Sequence, residues 1–112
     1  MVKGYVPAQG DFVVLSFDPQ AGHEQKGRRP ALVVSKEAFN VKTGLAFVSP
    51  ITSTDRGYPF HAKIPAGQPV RGVVMVDQTR SVDYRARKVQ FKARAPEDLL
   101  VEVLSLLEPI IF

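Results

Sequence analysis

The sequence contains no cysteine, and its only two histidines, His23 and His61, lie on different segments of the chain. Without cysteine the protein forms no disulfide and has no thiolate ligand for a metal. Two separated imidazoles do not make the clustered ligand set that a transition metal needs. We therefore expect a protein that works without a metal or any other cofactor.

Long apolar runs are also missing. No stretch approaches the roughly 20 residues that a transmembrane helix requires. The N-terminal segment, Met1 to Tyr5, has no apolar stretch of the kind found in a signal peptide. These absences predict a cytoplasmic protein that does not associate with a membrane.

The chain has 112 residues, of which 45% are hydrophobic, and it shows no internal repeat. This predicts one folded domain over residues 1–112. Residues 1–95 hold all 15 basic residues and seven acidic ones, a balance of +8, whereas residues 96–112 hold four acids and no base. A basic body indicates a polyanionic partner, nucleic acid or an acidic peptide, although a solvated surface rich in lysine and arginine explains the charge equally well.

Short segments rich in β-branched and aromatic residues predict a mainly β protein. The predicted strands are Asp11–Phe17, Ala31–Ser35, Leu45–Ser49, Phe60–Ile64, Val73–Val76 and Lys88–Lys92. Polar loops are predicted at 18–29 and 50–59, a short turn at 81–85, and one helical turn over 35–40 with Ser35 as its N-cap.

The last segment changes to a helical period. Its apolar positions are Leu99, Leu100, Val103, Leu104 and Leu107. Pro96 suits the first helical turn, and Pro109 is expected to end the helix. Many short strands followed by one helix predict a small, strongly bent β-barrel. The apolar tail 110–112 suggests burial at a two-fold interface or against a partner.

The polar loop that carries Glu24 ends in Arg28 and Arg29, and an apolar strand begins directly after Pro30. A proline can open a strand but is excluded from the middle of a sheet, and it holds the preceding residue in an extended conformation. We therefore expect Arg29 at the start of the strand, where its guanidinium can bind a phosphate.

Short motifs run through nearly the whole chain in a specific order. They are Tyr5-Val6-Pro7, Gly10-Asp11, Phe17-Asp18-Pro19, Gly22, Glu24-Gln25, Gly27, Arg29-Pro30-Ala31, Asn40, Lys42-Thr43-Gly44, Pro50, Thr52, Gly57-Tyr58-Pro59-Phe60, Asp77-Gln78, Ser81, Arg85-Ala86-Arg87 and Pro96-Glu97. In this order and spacing they resemble the MazF/PemK-type toxin endoribonucleases of type II toxin–antitoxin systems.

The resemblance implies a small SH3-like β-barrel with short helical insertions and a C-terminal α-helix, usually a homodimer. It implies a sequence-specific, metal-independent endoribonuclease that cleaves single-stranded RNA (mRNA) to 2′,3′-cyclic phosphate and 5′-OH ends. The implied partner is an acidic antitoxin that wraps the toxin and inhibits it.

The resemblance assigns catalysis to Arg29 and Thr52, with Glu24 as an auxiliary group. A guanidinium suits the extra negative charge on a phosphate under attack, a threonine hydroxyl can donate to a phosphate oxygen, and a nearby carboxylate can accept the 2′-OH proton. Taken singly, these residues equally suit a surface arginine, a turn threonine and a solvated loop carboxylate.

Aromatic, amide and basic side chains are the candidates for RNA binding, because unpaired bases stack on rings and phosphates pair with cations. The candidates are Arg28, Asn40, Arg56, Tyr58, Gln78, Arg80, Arg85 and Arg87. Residues 80–94 hold six bases and one acid, which suggests a path for the RNA backbone. Phe17 and His61 are expected to pack within the fold.

Two other functions remain open. Toxins that share this barrel poison DNA gyrase by binding it without catalysis, and fold alone does not separate the two classes. A plain RNA-binding barrel is the other alternative. The pair Arg29 and Thr52 on facing loops favours the nuclease.

Overall fold

The computed structural model describes residues 4–17 and 27–112. These residues form one seven-stranded antiparallel sheet with a helix at the C-terminal end. The strands are β1 (Asp11–Ser16), β2 (Arg28–Val33), β3 (Leu45–Thr52), β4 (His61–Lys63), β5 (Val73–Met75), β6 (Arg80–Asp83) and β7 (Gln90–Arg94). The helices are α1 (Glu37–Thr43), the 3-10 helix η1 (Val76–Gln78) and α2 (Glu97–Ile111).

The strand order is β4-β5-β3-β2-β1-β7, and β6 also pairs with β3. The long strand β3 therefore has β2 along one edge, while its other edge is shared between β6 over its first half and β5 over its last two residues. The predicted mainly β fold with a C-terminal helix is confirmed, with the difference that the sheet does not close into a barrel. No pairing among the described strands joins β4 to β7, so the sheet stays open.

Both faces of the sheet are buried along β1 and the last half of β2, which explains why these strands read as nearly continuous apolar runs. Phe12 and Leu32 point into one core, whereas their neighbours Val13 and Val33 point into the other. The first core is covered by α2 through Leu99 and other apolar residues of its helical stripe. The second core continues through Val48 and Tyr84. Alternation along β1 and β2 thus serves two cores rather than one core and solvent.

Two regions that polar composition predicted as loop or turn are strands. Residues 50–52 belong to β3 because Ile51 pairs with Val74 and Thr52 pairs with Val73. The predicted turn at 81–85 is largely strand β6, since Val82 is buried in the second core and pairs with Ala46. Long-range pairing outweighs the local composition at both places.

Pro30 lies in the third position of β2 rather than before the strand, so the expectation that it opens the strand is wrong. It pairs with Val14 on the β1 side. On the other side, the pairing with β3 begins only at Ala31. One edge of β2 is therefore unpaired at Pro30, which is the situation in which a strand tolerates the missing amide proton.

The start of α1 also differs from the prediction, because Lys36 and not Ser35 is the N-cap. The Ser35 hydroxyl instead donates to Asn40 Oδ1 (2.6 Å) and accepts the backbone N–H of Phe47 (2.9 Å). Asn40 is fully buried and donates from Nδ2 to the carbonyl of Pro7 (2.8 Å). Its own carbonyl accepts the hydroxyl of Tyr84 (2.9 Å). Asn40 thus joins the N-terminal segment and α1 to the residue that follows β6.

Helix α2 continues past Pro109, contrary to the prediction, and ends at Ile111. The missing amide proton of Pro109 removes one hydrogen bond from the last turn. The N–H of Phe112 still donates to the Glu108 carbonyl (2.8 Å), so the turn beyond the proline remains closed. No helix in residues 4–17 and 27–112 is long and apolar enough to cross a membrane.

Candidate nucleic-acid site

Three strands meet at one end of the sheet, on the face of the second core: the end of β1, the start of β2 and the end of β3. The start of β6 lies beside the middle of β3, and its Arg80 reaches the end of β1 through a contact with Phe17. The side chains at this end are Phe17, Arg29, Thr52 and Arg80. We call these four residues the sheet-end site. Two of the three predicted catalytic residues and one predicted RNA-binding residue lie in it.

Arg29 and Thr52 lie two residues beyond the last pair of β2 and β3. That pair is Ala31 with Pro50, and the same register continued for two residues would bring Arg29 opposite Thr52. Arg29 pairs with Leu15 of β1, whose side chain lies in the second core. Since paired residues project to the same face, the Arg29 side chain leaves the sheet just beyond that core. It is exposed to solvent, as an anion-binding guanidinium must be.

The Thr52 hydroxyl is half-buried and accepts the backbone N–H of Thr54 (3.2 Å). This bond occupies an oxygen lone pair and leaves the hydroxyl proton free to donate. The backbone of Gly72 packs directly against the backbone of Thr52, and the φ of Gly72 is +115°. An ideal Cβ on Gly72 would lie 2.0 Å from the Thr52 carbonyl oxygen, so only glycine allows the two chains to approach this closely.

Arg80 lies on the same face, because it pairs with Val48 of the second core. Its Cζ lies 5.6 Å from the centroid of the Phe17 ring, a cation–π contact. Phe17 packs against the second core, as expected, and the contact holds the Arg80 guanidinium over the end of β1. Two arginines of separate strands therefore share this end of the sheet with one hydroxyl.

Three predicted RNA-binding residues have structural contacts instead. Arg28 donates from Nη2 to the carbonyls of Val14 (3.1 Å) and Lys88 (2.8 Å) and to Gln90 Oε1 (3.1 Å). Arg87 donates from Nη1 to the Phe17 carbonyl (2.6 Å). The third, Asn40, is the buried junction described above. None of the three belongs to the sheet-end site.

Arg94, part of the predicted basic path, also has structural contacts. Its Nη1 donates to Asp11 Oδ1 (2.8 Å) and to the Gln9 carbonyl (2.9 Å). Asp11 Oδ2 accepts the Tyr5 hydroxyl. Burial, reinforced by the hydrogen bond to Asp11, raises the pKa of Tyr5 above its ordinary value. The predicted path for the RNA backbone over residues 80–94 is therefore interrupted at Arg87 and Arg94, whose guanidinium groups hydrogen-bond to other parts of the protein.

Arg56 and Tyr58 lie on the exposed segment between β3 and β4. The segment is shaped by the Asp55 carboxylate, which accepts the N–H of Gly57 (2.9 Å) and lies 3.7 Å from Lys63 Nζ. The Tyr58 ring contacts the His61 ring in a tilted arrangement, with centroids 5.0 Å apart. Both predicted RNA-binding side chains are therefore open to solvent on a segment that continues directly from Thr52.

Gln78 is exposed at the end of η1, two residues before Arg80. The intervening residue, Thr79, fixes this turn: its hydroxyl donates to the Val76 carbonyl (2.7 Å) and contacts Ser49 Oγ (2.6 Å). Arg85 is exposed away from these groups and lines a separate cavity of about 670 Å³ with Lys88, among other residues. Gln78 is thus near the sheet-end site along the chain, and Arg85 is not part of it.

Glu24, the third predicted catalytic residue, and His23 lie outside the described residues. Sequence reasoning missed Gly72, which packs against the Thr52 backbone, and Thr79, which fixes the turn before Arg80. A glycine immediately before a β-branched strand is the one signal that pointed to Gly72. No group of three His, Cys, Asp or Glu side chains that could hold a metal ion occurs among the residues described.

Comparison with known proteins covers nearly the whole chain. Residues 8–111 match the family described as PemK-like, MazF-like toxin of type II toxin-antitoxin system. The chain is 44% identical over 100 residues to the endoribonuclease toxin MazF of Escherichia coli strain K12, which covers 88% of this chain and 89% of that protein.

Two solved structures have a similar fold. A crystal structure of MazF from Deinococcus radiodurans has a TM-score of 0.86 and 50% identity, over 96% of this chain and 98% of that one. A crystal structure of MazE-MazF from the same organism has a TM-score of 0.85 and 44% identity, and the match covers 96% of this chain and 97% of that one.

Proposed function

Because this chain belongs to the PemK-like, MazF-like toxin family of type II toxin–antitoxin systems, we propose that it is an endoribonuclease toxin that cleaves single-stranded mRNA at specific sequences. The observation that supports the proposal is the register of β2 and β3, which, continued two residues beyond the Ala31–Pro50 pair, brings Arg29 opposite Thr52 on the face that also carries Arg80. A phosphate placed there meets two guanidinium groups and one hydroxyl donor.

The reaction uses a nucleophile that RNA itself supplies. The 2′-oxygen attacks the neighbouring phosphorus, a bond from O2′ to phosphorus forms, and the bond from phosphorus to the 5′-oxygen breaks. The products carry a 2′,3′-cyclic phosphate and a 5′-OH. One proton leaves the 2′-OH and one reaches the departing 5′-oxygen, so the protein must accept a proton, donate one, and stabilise the extra negative charge.

Arg29 stabilises this charge in the transition state. An arginine guanidinium stays charged at neutral pH and is therefore a poor base. The Thr52 hydroxyl donates a hydrogen bond to a phosphate oxygen, because its own oxygen already accepts the N–H of Thr54. Glu24 is the carboxylate nearest to Arg29 along the chain, and we propose that it accepts the proton of the 2′-OH group.

RNA reaches the phosphate site over exposed side chains on either side of it. Tyr58 stacks on a base, Gln78 pairs with a base edge, and Arg56 and Arg80 contact phosphates. Arg85 contacts RNA further along the strand, because it lies apart from the sheet-end site. Arg28, Arg87 and Asn40 support the fold and are left out of this surface.

The protein is expected to cut a long single-stranded RNA at full rate in excess EDTA, leaving 5′-OH ends. The expectation follows from the internal 2′-OH nucleophile and from the scarcity of metal ligands in the sequence. Mapping of 5′ ends after digestion, with and without chelator, is the measurement.

Three results would contradict this expectation. Cleavage that stops with EDTA and returns with a divalent ion would show that a metal is required. RNA that is bound but stays intact would make the protein a binding module. A gyrase complex formed without RNA cleavage would place it with the non-catalytic toxins.

We further propose that the protein acts in the cytoplasm as a homodimer and is inhibited by an acidic antitoxin. The C-terminal surface supports a partner, because Val101, Ile111 and Phe112 are exposed apolar residues on and after α2. Such a surface favours burial against another chain. The net charge of +8 over residues 1–95 favours an acidic antitoxin.

Antitoxin and RNA are expected to exclude each other, because both need the cations around Arg29 and Arg80. A competition titration on the inactive Arg29→Ala protein, with an uncut RNA and the acidic antitoxin, measures this directly. Both affinities should weaken as salt rises, since both partners are anionic. A stable ternary complex with unchanged RNA affinity would contradict this mechanism of inhibition.

A further inference from the structure

His61 occupies an unusual position for a residue at the start of a strand. Its side chain is 5% exposed, yet neither ring nitrogen has a hydrogen-bond partner among the described residues. Buried polar atoms are nearly always hydrogen-bonded, so an unpartnered imidazole calls for an explanation other than packing. Phenylalanine would fill the same space without that cost.

The imidazole lies between two residues that face the RNA surface. On one side, its ring contacts Tyr58 at a centroid distance of 5.0 Å and an interplanar angle of 55°. On the other side, His61 Nε2 lies 3.4 Å from Asp77 Oδ1, a distance that suits an ion pair but lacks hydrogen-bond geometry. Asp77 immediately precedes Gln78 in η1.

Backbone hydrogen bonds also connect the segment around His61 to the Tyr58 turn and to η1. The N–H of His61 donates to the Tyr58 carbonyl (3.2 Å), which closes the turn that carries the tyrosine. The N–H of Val76, the first residue of η1, donates to the Phe60 carbonyl (3.1 Å). The far end of η1 is fixed through Thr79 and Ser49. His61 is therefore the side chain placed between the Tyr58 turn and η1.

We propose that His61 is a positioning residue for RNA, which holds the Tyr58 ring and the Asp77–Gln78 turn in a fixed relation. Tyr58 is 53% exposed, so a base stacks on its open surface while His61 supports the ring from below. The contact with Asp77 sets the position of Gln78 at the same time. Stacking by Tyr58 and reading of a base edge by Gln78 then act as one unit.

The inference rests on the proposed RNA-cleaving function and deepens it. It assigns His61 to substrate positioning and gives it no role in proton transfer, since its ring is joined to Tyr58 and Asp77 rather than to Arg29 or Thr52. Loss of His61 should therefore weaken RNA binding and leave the chemical step unchanged.

The test compares His61→Phe, which keeps a ring beneath Tyr58 and removes both nitrogens, with the parent. Its KM for a short single-stranded RNA is expected to rise about 3–10-fold, with kcat within about twofold, because the contact with Asp77 that sets the position of Gln78 is lost while the ring beneath Tyr58 remains. Binding of the same RNA is measured in the Arg29→Ala background, where it stays uncut, and its Kd should rise by the same factor. Thermal unfolding serves as the control for folding.

Coupling between the two neighbours gives a second readout. Tyr58→Leu and Asp77→Asn should affect KM non-additively when His61 is present and additively in the His61→Phe protein. The ring proton resonances of His61 should shift in Tyr58→Leu and again when RNA is added to the Arg29→Ala protein.

The outcomes separate the inference from the function. Unchanged KM and Kd in His61→Phe, or additive effects with His61 present, would overturn the inference while cleavage by the parent keeps the function. Loss of kcat with unchanged Kd would also overturn it. RNA bound but not cut by the parent would refute the nuclease, and His61 would then be judged on Kd alone. A parent that neither binds nor cuts RNA overturns both.

Discussion

The Arg29→Ala protein is expected to lose RNA cleavage by a factor of about 10²–10³, the usual cost of removing one preorganised group that stabilises transition-state charge. The fold should survive, because the Arg29 side chain is exposed and its backbone stays paired with Leu15. The measurement is single-turnover cleavage of a defined single-stranded RNA, with circular dichroism and thermal unfolding as checks on folding.

Two related substitutions sharpen this test. Arg29→Lys keeps the charge but loses the planar fork that binds two phosphate oxygens, so most of the rate should still be lost. Thr52→Ala should lose less than Arg29→Ala, because a neutral hydroxyl supplies less charge stabilisation than a guanidinium.

The matched control is Lys42→Ala, which removes one positive charge from an exposed position in the last turn of α1. It should cut at the parent rate. A folded Arg29→Ala protein that also cuts at the parent rate would refute the assignment of Arg29.

The Gly72→Ala protein is expected to lose both stability and cleavage. The new Cβ would lie 2.0 Å from the carbonyl oxygen and 2.8 Å from the carbonyl carbon of Thr52, and rotation of a side chain cannot relieve a contact with backbone. The positive φ adds backbone strain. Together these effects should lower the free energy of unfolding by about 2–5 kcal/mol and displace Thr52 relative to Arg29. Urea denaturation and the cleavage rate of the folded fraction are the measurements.

The Gly67→Ala protein distinguishes the cost of backbone strain from the cost of the steric clash with Thr52. Gly67 also has a positive φ, of +89°, but nothing lies within 4 Å of an added Cβ. It should cost about 1–2 kcal/mol, the price of the left-handed conformation alone, and keep full cleavage. Equal stability and activity of the two variants would show that the Gly72–Thr52 contact does not position the site.

Local patterns were enough to predict most strands and the terminal helix. The β-branched run after Asp11 and the helical spacing after Pro96 both correspond to observed elements. The same patterns could not predict that residues 50–52 are strand, because that depends on pairing between Thr52 and Val73, about 20 positions further along the chain. Nor could they show that β4 and β7, at the two ends of the strand order, do not pair, which leaves the sheet open.

The types of residue at the candidate site were predictable, but the contacts that each of them makes within the fold were not. Arg28 and Arg29 are adjacent and chemically identical, yet alternation along β2 sends one to the backbone carbonyls of β1 and Lys88 and the other to the sheet-end site. Asn40 carries a polar side chain that suits RNA equally well in the sequence, and only its complete burial shows its structural use. Composition does not encode register or burial, and both decide function here.

The placement of β1 between β2 and β7 has a consequence for synthesis of the protein. The ion pair of Asp11 with Arg94 joins residues 83 positions apart, so β1 keeps one bare edge until almost the whole chain has left the ribosome. Folds dominated by such distant pairings form slowly, and a bare strand edge can pair with other chains in the meantime. A nascent or truncated chain that stops before Gln90 should therefore be aggregation-prone and unable to complete its sheet.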